Sequence, residues 1–468
     1  MPLLIALLVF ADIVSAFESS MMFNALPRII SAFDTTPAAA SWIITAFMLV
    51  AAASAAVCGR LGDIYGRRNV IIVLLLISMA GSIISIATGS LTGVIIGRAI
   101  QGVAGGVLPL CFGIARESLP KKHVPVGVAL IAGAAMLAGA AGNIISGALI
   151  DYLDWHYIFV VAAVVALFSA LGCTLLPGST AVAAADRRRV RWFGSALFAP
   201  AIALVLYGVN EAESWGWTDA RTFATILGGL LLLALWAWWE LHAEHPMINL
   251  RLFSARKQAL TMAATAVLAI GPVGATGFLL QMIMQAPKSA PVGLGLSATE
   301  AGWVSFCTAI FGFLLSPLSG RIAKRAGARR SLLIGSLFGV INAVTLALLH
   351  ATLGGLIFST VFLTVSTSFI LSSLPTLVIE DVPAENTSEA TGLNVVVRTA
   401  FSAVGTSMAT LLLSRSLVSG THFSTDGAYR QVFVLIGVCC VVAFVLALLI
   451  RPQKHPVFDD VQPAVLVP

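Results

Sequence analysis

The sequence predicts an all-α polytopic membrane protein with fourteen transmembrane helices: two six-helix bundles plus two inserted central helices. Three observations predict it. Hydrophobic residues make up 59% of the 468 and charged residues only 10%, with mean hydropathy +0.98. Soluble chains carry about 25% charged residues. Apolar runs of about 20 residues, the length that crosses a bilayer, recur along the whole chain. Lysine and arginine gather on alternate loops, which is the positive-inside pattern. This composition excludes a soluble globular protein, a disordered chain and a secreted disulfide scaffold.

The chain is apolar at once at Met1-Pro2-Leu3-Leu4 and lacks the basic start of a signal peptide. The first helix is therefore expected over Leu3–Ile30. The second, Ser41–Cys58, stops at a run of glycines and arginines that opens with Gly59. The third, Val70–Thr88, opens after Arg67 and Arg68. The fourth, Leu91–Ala115, is closed by Arg116, Lys121 and Lys122. The fifth, Val124–Ile150, is rich in glycine, and the sixth, Tyr157–Leu176, ends at Pro177-Gly178. Two more, Phe193–Val209 and Phe223–Leu241, follow the basic run Arg187-Arg188-Arg189-Val190-Arg191. The last six are Ala259–Met284, Ala301–Gly320, Leu332–His350, Leu353–Ile379, Ala390–Leu413 and Val432–Ile450. The expected division is an N-terminal bundle over 1–176, a linker with two extra helices over 177–257, a C-terminal bundle over 258–450 and a cytoplasmic tail over 451–468.

Charge placement orients the chain. With the N-terminus in the cytoplasm, 20 of the 27 basic residues fall on cytoplasmic loops and the tail. Only Arg28, Arg221, Lys288, Arg415 and Arg430 fall outside, and Arg98 and Arg398 lie within spans. Both termini are therefore expected in the cytoplasm. The net charge of +6 is explained without a nucleic-acid partner. The Arg187–Arg191 run reads as a topology anchor, with a lipid-headgroup contact as the alternative. Trp155, Trp192, Trp215 and Trp217 near span ends fit an interfacial belt. The six cysteines sit in or beside apolar segments and form no disulfide framework.

A repeat divides the chain. Gly59-Arg60-Leu61-Gly62-Asp63-Ile64-Tyr65-Gly66-Arg67-Arg68 follows helix 2. Gly320-Arg321-Ile322-Ala323-Lys324-Arg325-Ala326-Gly327-Ala328-Arg329-Arg330 follows helix 10, with glycines and basic residues at the same offsets. Two bundles related by an internal repeat are a common plan for secondary transporters.

Gly59 to Arg68 resembles the Gly-x-Leu-x-Asp-x-x-Gly-Arg-Arg/Lys loop of the major facilitator superfamily. Ile96-Gly97-Arg98-Ala99-Ile100-Gln101-Gly102 resembles its Arg-x-x-Gln-Gly motif. Trp215-Gly216-Trp217-Thr218, Glu240, His245 to Phe253, and Gly392-Leu393-Asn394 with Arg398 look like its fourteen-helix drug:proton antiporter branch. The resemblance covers essentially the whole chain except the last fifteen or so residues. It implies a multidrug-efflux-like transporter in the bacterial inner membrane. There are departures. Glu18 stands nine residues before Pro27, where the branch usually has Asp. Gly142-Asn143-Ile144-Ile145-Ser146-Gly147 stands where the antiporter motif reads Gly-Pro-x-x-Gly-Gly. Lys324 stands in the second loop where the first has Asp63.

A charge at the centre of a membrane span costs about 2.5 to 3.5 kcal/mol on insertion scales. Asp12, Glu18, Arg98 and Arg398 are therefore functional candidates. At 1.5 Å per residue, Glu18 lies about 14 Å below the outer end of helix 1 and Arg98 about 10 Å below that of helix 4, so they can meet. Asp12 lies about 9 Å deeper, turned about 120° around the helix. Burial disfavours a charged carboxyl and a nearby guanidinium favours it, so a conformational change can bind or release a proton. Glu18 is the expected protonatable group and Arg98 its electrostatic partner; the plainer alternative is a static pair joining helices 1 and 4. Asp12 is either a second proton site or a polar residue facing a water-filled cavity.

Gly59, Gly62, Asp63, Gly66, Arg67 and Arg68 read as a cytoplasmic gate. Glycine permits close helix approach, and Asp63 suits a basic partner or a helix N-terminus. A role in topology alone explains the arginines but not the spacing of Gly59, Gly62, Asp63 and Gly66. Asn24, Gln101, Asn143, Asn394 and Arg398 are candidate substrate-cavity residues, with a structural role the alternative for Arg398.

The chain has no Gly-Lys pair, hence no Walker A loop, and no Gly-x-Ser-x-Gly or His-Glu-x-x-His pattern. The reading is a transporter and not an enzyme, with no cofactor and no metal. It is expected to be a monomer in a lipid bilayer that exchanges protons for small amphipathic molecules. The alternative is a specific metabolite transporter, possibly a proton symporter.

Overall fold

The computed structural model describes residues 2–35, 37–178, 193–243, 246, 250–416 and 423–451. The Arg187–Arg191 run, Trp192 and nearly all of the C-terminal tail lie outside them. Among the described residues, thirteen helices are long and apolar enough to cross a membrane, and the apolar stretch Leu197–Val209 adds a shorter one.

Three expected spans are interrupted. The first is α1 (Pro2–Ser20) and α2 (Met22–Ala32). Near the break, the Ser19 and Ser20 hydroxyls donate to the carbonyls of Ala16 and Phe17, and such back-bonding bends helices. The fourth is α5 (Leu91–Gln101) and α6 (Val107–Ser118), joined by a tighter 3₁₀ turn over Gly102–Gly106. A Cβ on Gly102 would stand 2.6 Å from the Phe47 carbonyl, so glycine here lets the second span approach. The ninth is α11 (Arg256–Leu268) and α12 (Thr276–Gln285), separated by a π-helical turn, Ala269–Ala275. That turn holds Pro272, which has no N–H to continue an α-helical ladder.

The remaining helices are α3 (Pro37–Tyr65), α4 (Arg67–Ala87), α7 (Val124–Tyr152), α8 (His156–Cys173), α9 (Phe193–Trp215), α10 (Ala220–His242), α13 (Ala298–Ala326), α14 (Ala328–Leu349), α15 (Leu353–Asp381), α16 (Thr387–Ser414) and α17 (Asp426–Leu449). Most run past the expected ends, because apolarity marks only the membrane-crossing part of a longer helix. The segment Gly59–Arg68 is consequently not a loop. Gly59 to Tyr65 are the last turns of α3, and Gly66 alone, at φ 96°, breaks the chain before α4. Gly327, at φ 85°, does the same between α13 and α14. A positive φ at both sites explains why glycine recurs seven residues after Gly59 and after Gly320.

Besides α6 with α16 and α7 with α15, two more extensive helix contacts join the first six spans to the last six: α3 with α16 and α7 with α13. Both pairs meet near the end that carries the arginine-rich breaks. A Cβ on Gly392 would lie 3.0 Å from the Cα of Ala56, and one on Gly320 would lie 2.7 Å from the Cα of Val126. Further along α7, Gly142 faces Ser20 and Phe17 of α1 instead. Further along α16, a Cβ on Gly405 would lie 2.8 Å from the Cα of Ile270, in the π turn. Along one helix, successive glycines thus face different partners, in the other half at one end and in their own half further along. Helix α9 packs along both α3 and α16. Tyr207 meets Trp42 of α3 at 5.3 Å between rings, and Ser407 of α16 donates to the Val209 carbonyl at 3.5 Å.

Candidate functional site

Glu18 on α1 is fully buried and sits in a network built by three helices. Its Oε1 accepts from Ser78 of α4 at 2.5 Å and from Gln101 of α5 at 3.3 Å. Gln101 also donates to Ser82 at 2.7 Å and accepts from Arg98 at 3.0 Å. The Oε2 of Glu18 has no hydrogen-bond partner. Arg98 is buried as well, and it makes no ion pair with the Glu18 carboxylate. It donates to the Glu18 main-chain carbonyl at 3.0 Å and to the Ile43 carbonyl at 3.3 Å, and lies 4.2 Å from the Phe47 ring centre. Gln101, one turn beyond Arg98 on α5, stands between guanidinium and carboxylate. The arrangement leaves one carboxyl oxygen open to a proton in an otherwise bonded, buried site.

Gln101, expected in a substrate cavity, therefore belongs to the Glu18 network. Ser78 and Ser82 were not foreseen. Their signal is the Ser78, Ser82, Ser85 spacing, which places three hydroxyls along one face of α4, all fully buried.

A second constellation joins the two halves at the ends that carry the arginine-rich breaks. Asp63 near the end of α3 accepts from Arg67 at 2.8 Å through Oδ1. Its Oδ2 accepts from the backbone N–H of Glu389 at 2.9 Å. Glu389 is the third residue of α16, where the first-turn N–H groups have no partner within the helix. A carboxylate there also complements the positive end of the helix dipole. Arg67 is buried and fully used. It pairs with Glu117 at 2.5 Å, and donates to Ser388 at 2.8 Å and to the Ala384 carbonyl at 2.7 Å. Arg60 pairs with Glu389 at 3.1 Å, and Arg116 donates to Thr387 at 2.7 Å.

The glycines serve this contact. A Cβ on Gly59 would stand 2.9 Å from the Ser388 carbonyl carbon, and one on Gly62 would overlap Leu110 of α6. Arg68 is half-buried at the start of α4. Ser388, Glu389, Arg116 and Glu117 were not foreseen, because their role exists only across a gap of about 270 residues or more in sequence, or beside it.

The other expected residues are dispersed. Asp12 on α1 is buried, with no hydrogen-bond partner for Oδ2. Arg398 on α16 is half-buried and acts electrostatically on Asp12. Asn143 is half-buried in α7. Asn394 donates to Thr265 at 2.8 Å, so its amide ties α16 to α11. Asn24 falls in α2, and its side chain lies outside the described residues.

Comparison with known proteins agrees with this architecture. A family profile described as Major Facilitator Superfamily matches residues 8–406 and 261–466. An uncharacterised MFS-type transporter of Mycobacterium tuberculosis is 27% identical over 66% of this chain, a match that spans 52% of its own length. The putative multidrug resistance protein MdtD of Escherichia coli is 23% identical over 94% of this chain and 91% of its own. The crystal structure of the human organic anion transporter MFSD10 superposes with a TM-score of 0.65 at 12% identity, over 95% of this chain and 99% of that one. The chain belongs to the major facilitator superfamily.

Proposed function

We propose that the chain is a proton-coupled exporter of amphipathic small molecules that works by alternating access in the bacterial inner membrane. The observation that carries this reading is Glu18, fully buried, with one oxygen held by Ser78 and Gln101 and the other unpartnered. A carboxyl so placed holds a proton in one state and gives it up when its surroundings change. Both termini lie in the cytoplasm and the chain acts as a monomer. The arginine-rich ends are then cytoplasmic, and the Asp63 contact is the closed inner gate. Glu18 takes its proton while this gate is closed and the outer side is open. Opening of the inner gate releases the proton inward and admits the next substrate. The multidrug relative supports the choice of amphipathic cargo.

The test is accumulation of a fluorescent lipophilic cation in cells that lack their own pumps. Cells with this protein are compared with Glu18→Gln cells, each with and without a protonophore. Lower accumulation that requires both Glu18 and the gradient is expected. Normal pumping by Glu18→Gln would remove the proton role. A second reading, a specific metabolite transporter, is favoured by Asn143 standing where the antiporter motif has proline. Accumulation unchanged by the protein would move the weight there.

A further inference from the structure

Two intramembrane charges take no part in either constellation. Asp12 lies ten residues into α1 and Arg398 eleven residues into α16, so both stand roughly 15 to 17 Å from the inner end. Both helices run outward from that end, one in each half. The two residues thus share a depth, one in each half. They interact electrostatically.

What sets this pair apart is its shortage of hydrogen-bond partners. Asp12 is 2% exposed, yet its Oδ2 accepts no hydrogen bond. The Arg398 guanidinium makes neither a hydrogen bond nor an ion pair among the described residues. Arg67 and Arg98 show the opposite: those guanidinia spend their donors on carboxylates, carbonyls or side-chain oxygens. A charge in a span is costly unless something satisfies it. Two opposite charges, one on each bundle and not bonded to each other, each lack a partner that a third group could supply.

We propose that Asp12 and Arg398 are the two poles of a binding site for zwitterionic amphipathic molecules. The ligand's ammonium group binds Asp12 and its carboxylate binds Arg398. Because one pole belongs to each bundle, such a ligand spans the boundary that opens and closes during transport. The inference rests on the export reading for its place in the cycle, but binding itself needs no proton gradient.

The test uses the purified full chain in detergent and three probes with one fluorophore: Nε-dansyl-lysine, its methyl ester and its Nα-acetyl derivative. These are a zwitterion, a cation and an anion. The zwitterion is expected to bind about tenfold more tightly than either analogue, as charge-assisted hydrogen bonds imply. Arg398→Gln should abolish the penalty for the ester and keep that for the acetyl derivative. Asp12→Asn should do the reverse. Arg398→Lys, which keeps the charge, should retain both penalties. Misfolding would weaken all three probes alike, and size-exclusion profiles check for it. Equal binding of the three probes by the unmutated protein would overturn the proposal and leave the pair as a contact between helices. Survival of both penalties in Arg398→Gln would overturn it too. The discriminating pattern in a protein that fails to pump would sink only the proton-coupled export reading.

Discussion

Asp63 of α3 accepts a hydrogen bond from the main-chain N–H of Glu389, at the start of α16, while its other oxygen holds Arg67 of its own half. One carboxylate therefore bridges a side chain of the first bundle and a helix terminus of the second. Around it, Arg60 reaches Glu389 and Arg67 reaches Ser388 and Ala384. The bond is available only while these ends of α3 and α16 touch, so it stabilises the conformation in which they do.

Asp63→Asn keeps an acceptor of the same shape but removes the charge. The bond to the Glu389 N–H becomes a neutral one, and Arg67 loses the more buried of its two counter-ions, keeping Glu117. Bonds to charged groups contribute about 1.5 to 3 kcal/mol against about 1 for neutral ones. Transport turnover should fall roughly tenfold while substrate affinity changes little. Initial rates over a range of substrate concentrations separate the two. A change in affinity at constant turnover would rule out the gate role.

Gly59 is expected to act on the same equilibrium by shape alone. A Cβ there would stand 2.9 Å from the Ser388 carbonyl carbon and 3.3 Å from the Glu389 nitrogen, both main-chain atoms that cannot swing aside. Gly59→Val should hold the inner ends apart and favour the inward-open state. Spin labels at Leu61 and Glu385 should show a longer distance in Gly59→Val than in the unmutated protein. An unchanged distance distribution would refute the steric argument.

How far the sequence foretells these features depends on how local they are. The glycine, arginine and aspartate spacing of Gly59 to Arg68 is a local pattern, and it marks the C-terminal end of α3. Its partner surface is not local. Ser388 and Glu389 carry no distinguishing spelling, and only folding brings them against α3. Glu18 and Arg98 stand out because charges are rare in apolar runs. Gln101, standing between them, looks like one more polar residue until α1, α4 and α5 are packed. The breaks at Met21, Gly102–Gly106 and Ala269–Ala275 are hidden for a related reason: hydropathy reports burial in lipid, and a kinked helix is as apolar as a straight one.

Arg98→Lys tests whether the Glu18 site needs a guanidinium or only a positive charge. Arg98 donates to the Glu18 and Ile43 carbonyls and to Gln101, and stacks on Phe47. Lysine offers a single compact ammonium group and cannot make this fork of bonds. Two or more buried acceptors would lose a donor, each costing about 1 to 3 kcal/mol. The variant should lose most proton-coupled transport and melt at a lower temperature. Transport at the normal rate would show that charge alone suffices.

Gly327→Ala and Gly302→Ala make the same chemical change with opposite expected signs. Gly302 lies inside α13, and a Cβ there meets nothing within 4 Å. Alanine favours a helix interior over glycine by up to about 1 kcal/mol, so this variant should be as stable as the parent or more so. Gly327 also has open space for a Cβ, but its φ of 85° with ψ 147° is a conformation essentially reserved for glycine. Alanine there must either bear strain of order 1 to 3 kcal/mol or pull the junction of α13 and α14 out of shape. Thermal unfolding of the two variants in the same detergent compares them directly. Because neither site is crowded, any difference isolates the backbone term. Equal melting temperatures would mean that the glycine repeat at 66 and 327 is not held by backbone geometry.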